Sequence, residues 1–294
     1  MNTRGDFAKI IFGPGSKAPP EHSIGALLVD AGKITPEDAE RILRYARDHK
    51  QRFGDAAIAL KLVSDDDIQQ VLAKQFEYPY LQPGESSVSD EVVAAWTPFS
   101  KQVEALRALR SQLLLRWFSE AEKSLAIVSP ARSDGRSHLA ANLAVVFSQM
   151  GERTLLIDAD LRNPRQQHLF GLSNGIGLST ILAERGTLEA IQRIPSFVDL
   201  SVLTSGPVPP NPSELLGRQM FQTVMAECSQ RFDVIILDTP PAVTGSDGQI
   251  VASKCNGALL LARCDRTRLD DCRDLAESIG ASNARIVGTV LNHH

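Results

Sequence analysis

Apolar runs alternate with helical patterns along residues 103–294. Six of the runs are apolar almost throughout, as buried strands are, and lie at 124–129, 154–159, 200–204, 233–239, 257–262 and 285–291. Helical patterns separate most of these runs, notably at 137–150, 213–230 and 268–279. Because strands covered by helices on both faces have this pattern, we predict an α/β fold with a mostly parallel sheet and helices on both faces.

Residues 22–80 have a helical pattern instead, and the pattern occurs twice. The segment 24–43 matches the segment 53–72 at a glycine, an aspartate and several apolar positions. Each copy contains a helix-start signal, with Thr35 before a proline in the first and Ser64 before three aspartates in the second. A hydroxyl side chain caps a free N–H group, and carboxylates favour the positive end of the helix. The repeat therefore predicts a small all-α domain of two helix pairs.

Two further segments lack sustained periodicity. Residues 1–21 mix glycine, proline and charge, and we predict a flexible arm there. Residues 81–102 combine turn formers with one short apolar patch, and we predict a linker. The predicted domains are therefore 22–80 and 103–294.

The composition, with a net charge of −4 and 43% hydrophobic residues, is ordinary for a globular protein. No strongly basic region indicates a nucleic-acid partner, and we expect none. No apolar run approaches the roughly 20 residues that a membrane span needs, and the N-terminus lacks the apolar region of a signal peptide. We therefore expect a cytoplasmic protein that reaches a membrane only through a partner.

The segment SPARSDGRSHLAANLA, at 129–144, passes from the first predicted strand into a helix. Open α/β sheets bind ligands at such loops, and the N–H groups of a helix start suit phosphate. Of the phosphate-loop pattern G-x-x-x-x-G-K-[ST], the segment keeps Gly135 and Ser137, with Pro130 at the first glycine and Arg136 at the lysine. Ser137 is placed to offer its hydroxyl to Mg²⁺. By itself, the segment fits a strand-to-helix turn without a ligand equally well.

Three aspartates favour the nucleotide site over an empty turn. LLIDADLR at 155–162 places Asp158 and Asp160 at the end of the second strand, and VIILDTPP at 234–241 places Asp238 at the end of a later one. Carboxylates at the edge that holds a phosphate loop supply the oxygen ligands and charge compensation that Mg²⁺ with triphosphate requires. A single aspartate of this kind can equally cap the next helix, but three together favour a P-loop NTPase-like sheet.

Residues 103–294 resemble the catalytic domain of the bacterial tyrosine kinases, which regulate the chain length of capsule and exopolysaccharide. The segments that carry the resemblance occur in the family's order and are SPARSDGRSHLAANLAVVFSQMGERTLLIDADLRNP, GIGLSTIL, SGPVPPNPSELL and RFDVIILDTPP. Within this family, the chain is most similar to the EpsG-type chain-length-determinant kinases. The resemblance implies a protein tyrosine kinase that uses ATP and Mg²⁺.

By this resemblance, the nucleotide would be held by Ser133, Asp134, Gly135, Arg136, Ser137 and His138. The metal would be held by Ser137, Asp158 and Asp238. The catalytic residues would be Asp160, Asp158 and Arg136, with Asp160 deprotonating the acceptor tyrosine. Because a carboxylate of pKa about 4 is a weak base for a phenol of about 10, positioning and Mg²⁺ must supply most of the catalysis. Arg162 is a further candidate for holding phosphate charge.

The segment EALRALR, before the first strand, resembles the family's E-x-x-R-x-x-R segment, through which subunits associate in a ring. On a helix, Glu104, Arg107 and Arg110 share one face, which can pair with carboxylates of a neighbour. An ordinary salt-bridged helix surface is the alternative. The resemblance implies a ring-like homo-oligomer.

The chain departs from the family's pattern at three points. Arg136 replaces the usual lysine, and its guanidinium is planar and longer than a compact ammonium. Ser133 stands where glycine is usual, and a positive φ there would cost about 1–2 kcal/mol. The family's kinases phosphorylate a C-terminal tyrosine cluster, whereas no tyrosine follows Tyr80 here. We therefore expect the acceptor tyrosine on another protein.

Residues 22–80 resemble the N-terminal module of type II secretion and type IV pilus ATPases, some of which bind cyclic di-GMP. The second copy keeps Arg52, Gly54 and Gln75 of that motif but has Lys61 at a glycine position, and the first copy lacks the arginine and the glutamine. We therefore expect no cyclic di-GMP binding and interpret the domain as a docking module for a partner protein.

These features predict an ATP-binding, tyrosine-kinase-like protein that regulates exopolysaccharide chain length, polymerisation or export. Its predicted partner is a separate membrane-bound chain-length regulator. One alternative is a nucleotide-sensing assembly subunit that transfers little phosphate. Another is a ParA/MinD-type ATPase, which LLIDAD and VIILDTPP also suit, although Ala131 and Arg132 stand in the region of that group's additional lysine.

Overall fold

The computed structural model describes residues 23–293 except 66, 69, 70, 73–78, 83 and 85. The predicted arm at 1–21 and Gln75 of the N-terminal motif lie outside this part of the chain. Residue contacts divide the chain into two compact units, Met1–Pro79 and Tyr80–His294. Within the described ranges, every helix is too short or too polar to cross a lipid bilayer.

The first unit is helical over most of its described residues. Its helices are α1 (Ile24–Asp30), α2 (Pro36–Asp48) and α3 (Phe53–Ala59), and residues 65, 67, 68, 71 and 72 are helical as well. As the sequence predicts, α2 begins after Thr35, which exchanges two hydrogen bonds with Asp38: each side chain accepts from the other's backbone N–H. Ser64 and Asp67 exchange the same two bonds in the second copy. The repeat in the sequence is therefore also a repeat in structure.

The match between the two copies extends to an unusual backbone conformation. Gly32 has φ 66°, and Lys61, at the equivalent position of the second copy, has φ 55°. Glycine adopts this left-handed region freely, whereas a side chain there is strained. Lys61 therefore keeps the turn of the repeat without the glycine that suits it.

This unit also has an apolar core of its own, in which Leu28 and Ile42 are fully buried.

Seven strands among the described residues form one sheet in the second unit. They are β1 (Ser124–Val128), β2 (Thr154–Asp158), β3 (Gln192–Arg193), β4 (Leu200–Leu203), β5 (Val234–Asp238), β6 (Gly257–Arg263) and β7 (Arg285–Asn292). Their order is β3–β4–β2–β5–β1–β6–β7, and each neighbouring pair is parallel except β3–β4. The predicted, mostly parallel sheet is confirmed.

Helices cover both faces of this sheet. They are α4 (Val93–Trp96), α5 (Lys101–Arg116), α6 (Arg136–Ser148), α7 (Gln166–Phe170), α8 (Leu178–Leu182), α9 (Pro212–Gly217), α10 (Gln219–Arg231), α11 (Asp247–Lys254) and α12 (Leu269–Ala281). Alternate residues of β1 belong to two separate apolar clusters, Ile127 to one and Ala126 to the other. Because both faces are buried, the middle positions of β1, β2 and β5 are all apolar, and the predicted α/β class is confirmed.

The predicted linker at 81–102 packs into the second unit instead. Val92, Ala94 and Ala95 are fully buried in one of the two apolar clusters. The side chain of Asn142, in α6, accepts the Ala94 backbone N–H at 2.8 Å. The short apolar patch is therefore part of the core, and the linker prediction is wrong.

Two smaller differences concern element boundaries. The helical pattern at 213–230 forms two helices, α9 and α10, because Arg218 between them has an extended backbone with φ −65° and ψ 152°. The antiparallel strand β3 is not predicted, since its two residues are too few to show a pattern. All six predicted strands are present.

Candidate active site

Two residues of the loop between β1 and α6 have positive φ. Gly135, directly before α6, has φ 105°, and Ser133 has φ 63°. Glycine adopts such values freely, whereas the serine is strained by about 1–2 kcal/mol, as the sequence predicts for this position. The first residues of α6 line a cleft, and the N–H groups at a helix start favour an anion.

Arg136 bonds to the loop that precedes it. Its Nε donates to the carbonyl oxygen of Thr239 at 2.8 Å, and its Nη1 donates to the carbonyl oxygen of Ala131 at 2.7 Å and to the Ser129 hydroxyl. The residue is only 8% exposed, and this burial lowers the pKa of its guanidinium. The predicted contact with triphosphate therefore requires the guanidinium to exchange some of these bonds for phosphate oxygens.

Asp134 is fully buried and supports the loop. Its Oδ2 accepts the Ala131 N–H at 2.9 Å, and its Oδ1 accepts the Thr267 hydroxyl at 3.0 Å. Asn292, at the end of β7, donates to its carbonyl oxygen at 2.9 Å. Asp134 is not among the residues that line the cleft. The carboxylate is bonded within the protein, and the contact of Asp134 with a nucleotide stays a prediction.

Asp158 and Asp238 lie side by side at the ends of β2 and β5, where they are register partners. Both are fully buried. The Asp158 carboxylate accepts, at 2.9–3.2 Å, the backbone N–H groups of Asp160, Arg165 and Gln166. The Asp238 Oδ2 accepts the side-chain amide of Gln166 at 2.8 Å. Asp158 therefore organises the turn after β2, and Gln166 joins the two acids.

This acid pair favours a positive partner. Burial, followed by the charge of Asp238, raises the pKa of Asp158 well above its usual value. Burial raises the pKa of Asp238 to about 6, although hydrogen bonds from Gln166 and Ser137 lower it. Within the described part of the chain, the buried Oδ1 of Asp238 has no hydrogen-bond partner. An unpartnered carboxylate oxygen beside a second acid is a position that a divalent cation would stabilise.

The residues present fit a metal ion that arrives with a nucleotide. No group of three or more His, Cys, Asp or Glu side chains in the described ranges is arranged to hold a metal ion. Mg²⁺ commonly takes one or two carboxylates and completes its shell with phosphate oxygens and water. Asp238 Oδ1 and the Ser137 hydroxyl, which hydrogen-bonds to Asp238, are oxygen ligands of this kind.

A cleft of about 470 Å³ opens at the start of α6, and the fully buried Asp158 and Asp238 are not among the residues that line it. Of the predicted site residues, those that line it are Ser133, Gly135, Arg136, Ser137, His138 and Asp160. The Asp160 Oδ1 accepts the backbone N–H groups of Arg162 and Asn163 at 3.1 and 2.9 Å, which fixes this carboxylate at the cleft wall. The loop, the acid pair and Asp160 are thus brought together, and their roles in binding and transfer stay predictions.

Arg162, the further phosphate candidate, pairs with a carboxylate of the protein. Its Nε and Nη2 donate to Asp247 at 2.7 and 3.2 Å, and Nη2 also donates to the Ser213 hydroxyl at 3.1 Å. Asp247 is fully buried. The guanidinium therefore holds the loop after β2 to α9 and α11, and its charge is committed to Asp247 rather than to a phosphate.

Glu104, Arg107 and Arg110 all lie on α5 but differ in exposure. The Glu104 side chain is 72% exposed and pairs with Arg107 at 3.0 Å. Arg110 is half-buried, and its Nη1 donates to the carbonyl oxygen of Val146 at 2.7 Å. Arg110 therefore contributes to the packing of α5 on α6. The role of these residues in association stays a prediction.

Sequence reasoning missed Gln166 and Arg165. Gln166 bonds to both buried acids, and Arg165 pairs with Glu91 at 2.8 Å, where both residues line the cleft. No periodic pattern distinguishes Gln166 from Gln167, because both are buried glutamines at the start of α7. Gln166 differs from Gln167 only in the folded chain, where its side chain lies next to Asp238.

Comparison with known proteins gives a consistent result. No family model matches the chain. It is similar to the tyrosine-protein kinase YwqD of Bacillus subtilis, with 34% identity over 207 residues that cover 70% of this chain and 87% of that protein. The cell division ATPase MinD of Pyrococcus furiosus shares the fold alone, with a TM-score of 0.52 and 24% identity over 59% of this chain and 73% of that one.

Two solved structures are more similar than MinD is. The chimerical protein CapA2B2 has a TM-score of 0.66 and 33% identity, and the match covers 76% of this chain and 98% of that one. The kinase domain of the Escherichia coli tyrosine kinase ETK has a TM-score of 0.67 and 31% identity, and the match covers 74% of this chain and 85% of that one. Because sequence and fold both match over most of these proteins, the chain belongs to the bacterial tyrosine-protein kinases.

Proposed function

We propose that this protein is an ATP- and Mg²⁺-dependent protein tyrosine kinase that acts in the control of exopolysaccharide chain length, polymerisation or export. The observation that carries the proposal is that Ser137 and Asp160 line one cleft, directly next to a buried pair of acids. The acids, Asp158 and Asp238, end neighbouring strands, and Gln166 bonds to both of them and to the Ser137 carbonyl oxygen. The similarity to YwqD and ETK supports tyrosine as the acceptor.

The nucleotide would bind against the start of α6. The backbone N–H groups there, together with Gly135 and His138 of the cleft lining, would hold the triphosphate. Asp238 Oδ1 and the Ser137 hydroxyl would hold Mg²⁺, and Asp158 would support it through water because its oxygens already accept three backbone N–H groups. When bound, Mg²⁺ neutralises charge that develops on the transferred phosphoryl group.

Asp160 would receive the proton of the acceptor tyrosine. Two backbone N–H groups hold its Oδ1, and the carboxylate lines the cleft while only 5% exposed, so its direction is set before a substrate binds. Because carboxylates are far weaker bases than phenolates, Asp160 would act chiefly by aligning the hydroxyl with the γ-phosphoryl group.

The proposal includes two kinds of partner. A separate membrane-bound chain-length regulator would bind this protein, and copies of the chain would form a ring through the segment EALRALR. Glu104, which is exposed on α5, would face a neighbouring subunit. The first unit would dock a partner protein. The resemblance of these segments to known families supports each assignment.

Phosphotyrosine formation tests the proposal. The full chain is incubated with γ-labelled ATP, Mg²⁺ and the membrane partner, and label is expected on a tyrosine. Asp160→Asn should reduce that label by about 100-fold or more, with ADP affinity within about twofold of the wild type. The matched control is Asp270→Asn, which changes a carboxylate that is 66% exposed on α12 and should transfer phosphate like the wild type.

The other products identify the alternatives. Free phosphate without labelled protein would indicate an ATPase. Transfer that persists unchanged in Asp160→Asn would remove Asp160 from the mechanism.

One observation favours a second candidate, a nucleotide-sensing assembly subunit. The Arg136 guanidinium is bonded to three acceptors of its own loop and the loop after β5, so contact with a γ-phosphate would require it to give up some of these bonds. Assembly that depends on ATP, without label or free phosphate, would support the sensor. In that case, Arg136→Lys should introduce measurable transfer, because an ammonium lacks the planar fork that makes these bonds.

A further inference from the structure

Gln166 connects the three parts of the site. It is fully buried at the start of α7. Its backbone N–H donates to Asp158 Oδ2 at 2.9 Å, and its side-chain Nε2 donates to Asp238 Oδ2 at 2.8 Å and to the Ser137 carbonyl oxygen at 3.2 Å. One residue therefore bonds to the ends of β2 and β5 and to the first turn of α6.

The chemistry of an amide suits this position. A lysine or arginine here would neutralise Asp238 and so compete with a cation, whereas an amide donates hydrogen bonds without a charge. Within the described residues, the buried Oδ1 of Asp238 and Oε1 of Gln166 have no hydrogen-bond partner. The Nε2 bond thus fixes one oxygen of Asp238 and leaves the other without a hydrogen bond, and it does not neutralise the carboxylate.

We propose that Gln166 is a positioning residue for the metal of the nucleotide. Its amide holds Asp238 and the first turn of α6 so that Asp238 Oδ1 and the Ser137 hydroxyl face a divalent cation without rearrangement. This inference rests on the proposed nucleotide site and extends it to a residue outside the phosphate loop and the acidic motifs. Groups that orient metal ligands in this way commonly change metal affinity by about 10–100-fold when they are removed.

Methionine and asparagine at position 166 would each fail to make the side-chain bonds of Gln166, for different reasons. Methionine has a similar length but no N–H donor, so Asp238 Oδ2 and the Ser137 carbonyl oxygen would both lose their bond. Asparagine keeps the amide but is one methylene shorter, so it cannot reach Asp238 from the same backbone position. Both variants leave the proposed ligands Ser137 and Asp238 in place.

The test compares ADP affinity with Mg²⁺ and with EDTA, by calorimetry on the full chain. In the wild type, Mg²⁺ should strengthen ADP binding. In Gln166→Met, the ADP affinity measured in EDTA should stay within about twofold of the wild-type value. The factor by which Mg²⁺ strengthens ADP binding, called the gain from Mg²⁺, should fall by about tenfold. A purely structural role of Gln166 would change both affinities together. The comparison therefore separates positioning from folding.

Gln167→Ala is the matched control. Gln167 is also buried on α7, but its side-chain amide donates to the carbonyl oxygen of Pro164 at 3.2 Å. We expect this variant to keep the full gain from Mg²⁺. Should Gln166→Met fail to fold, as measured by circular dichroism, Gln166→Asn serves in its place with the same expected loss.

The outcomes distinguish this inference from the proposed function. A gain from Mg²⁺ that survives in a folded Gln166 variant overturns the role of Gln166 alone. If the wild type binds ADP equally well with Mg²⁺ and with EDTA, the proposed nucleotide–metal site itself is wrong. Equal losses in Gln166→Met and Gln167→Ala would show that α7 matters only for folding, which also overturns the positioning role.

Discussion

At the scale of single residues, Asp238 couples stability to pH. The groups that hydrogen-bond to its buried carboxylate, the Gln166 amide and the Ser137 hydroxyl, are neutral, and burial raises its pKa from 3.8 to about 6. Without a cation, the folded chain therefore binds this proton more tightly than the unfolded chain does. The stability that this provides is fully present below about pH 4 and is lost as the pH rises through about 6.

Asp238→Asn should remove this loss, because asparagine carries no charge at any of these pH values. In EDTA at about pH 7.5, the variant should be more stable than the wild type by about 3 kcal/mol, and at about pH 4 most of the difference should be gone. Urea unfolding of both proteins at both pH values measures the difference in unfolding free energy. A difference that does not depend on pH would contradict the explanation.

At the scale of elements, one ion pair joins three pieces of the second unit. Arg162, in the loop after β2, bonds to Asp247 at the start of α11, and Ser213, in α9, donates to the same carboxylate at 2.5 Å. The backbone N–H of Arg162 also holds Asp160 Oδ1. The pair therefore fixes the loop that carries Asp160 against two helices.

Arg162→Ala should destabilise the second unit by about 3 kcal/mol, because it leaves the fully buried Asp247 carboxylate without its cation. Adding Asp247→Asn should recover part of that loss, since the double variant buries no unpaired charge. Urea unfolding midpoints of the two single variants and the double variant provide the measurement. A double variant less stable than Arg162→Ala would show that the charge of Asp247 is not the cause.

At the scale of the whole molecule, the second unit begins before the predicted catalytic domain. The segment that includes Val92, Ala94 and Ala95 contributes fully buried side chains to its core. Asn142 bonds to the Ala94 N–H, and Gln149 donates to the Ala94 carbonyl oxygen at 3.0 Å. The segment is therefore structural, whatever else it does.

A fragment of residues 80–294 should fold and bind ADP like the full chain, because the first unit has a separate core. A fragment of residues 103–294 should unfold at a lower temperature or aggregate, because apolar surface and the Asn142 side chain lose their partners. Thermal unfolding followed by circular dichroism compares the two fragments. Equal midpoints would show that residues 80–102 do not stabilise this unit.

The pattern of apolar and acidic residues is enough to predict the class of the fold and the edge of the sheet where the candidate site lies. Strands buried on both faces need apolar side chains at every position, so β1, β2 and β5 are visible as continuous apolar runs. Asp158 and Asp238 follow such runs, and the carboxyl ends of parallel strands lie at one edge of the sheet. The caps at Thr35 and Ser64 are also legible, because each bond spans three residues.

Which side chains bond to one another at that edge depends on how the chain packs, and the sequence pattern does not show it. Arg136 bonds to a residue 103 positions away, Arg162 to one 85 away and Gln166 to one 72 away. Other long-range contacts place Val92, Ala94 and Ala95 in the core, and the bonds of Arg136 turn its guanidinium into the loop. Periodicity and spacing report local geometry, whereas the energy of a buried polar group depends on its partners, which come together only when the chain packs.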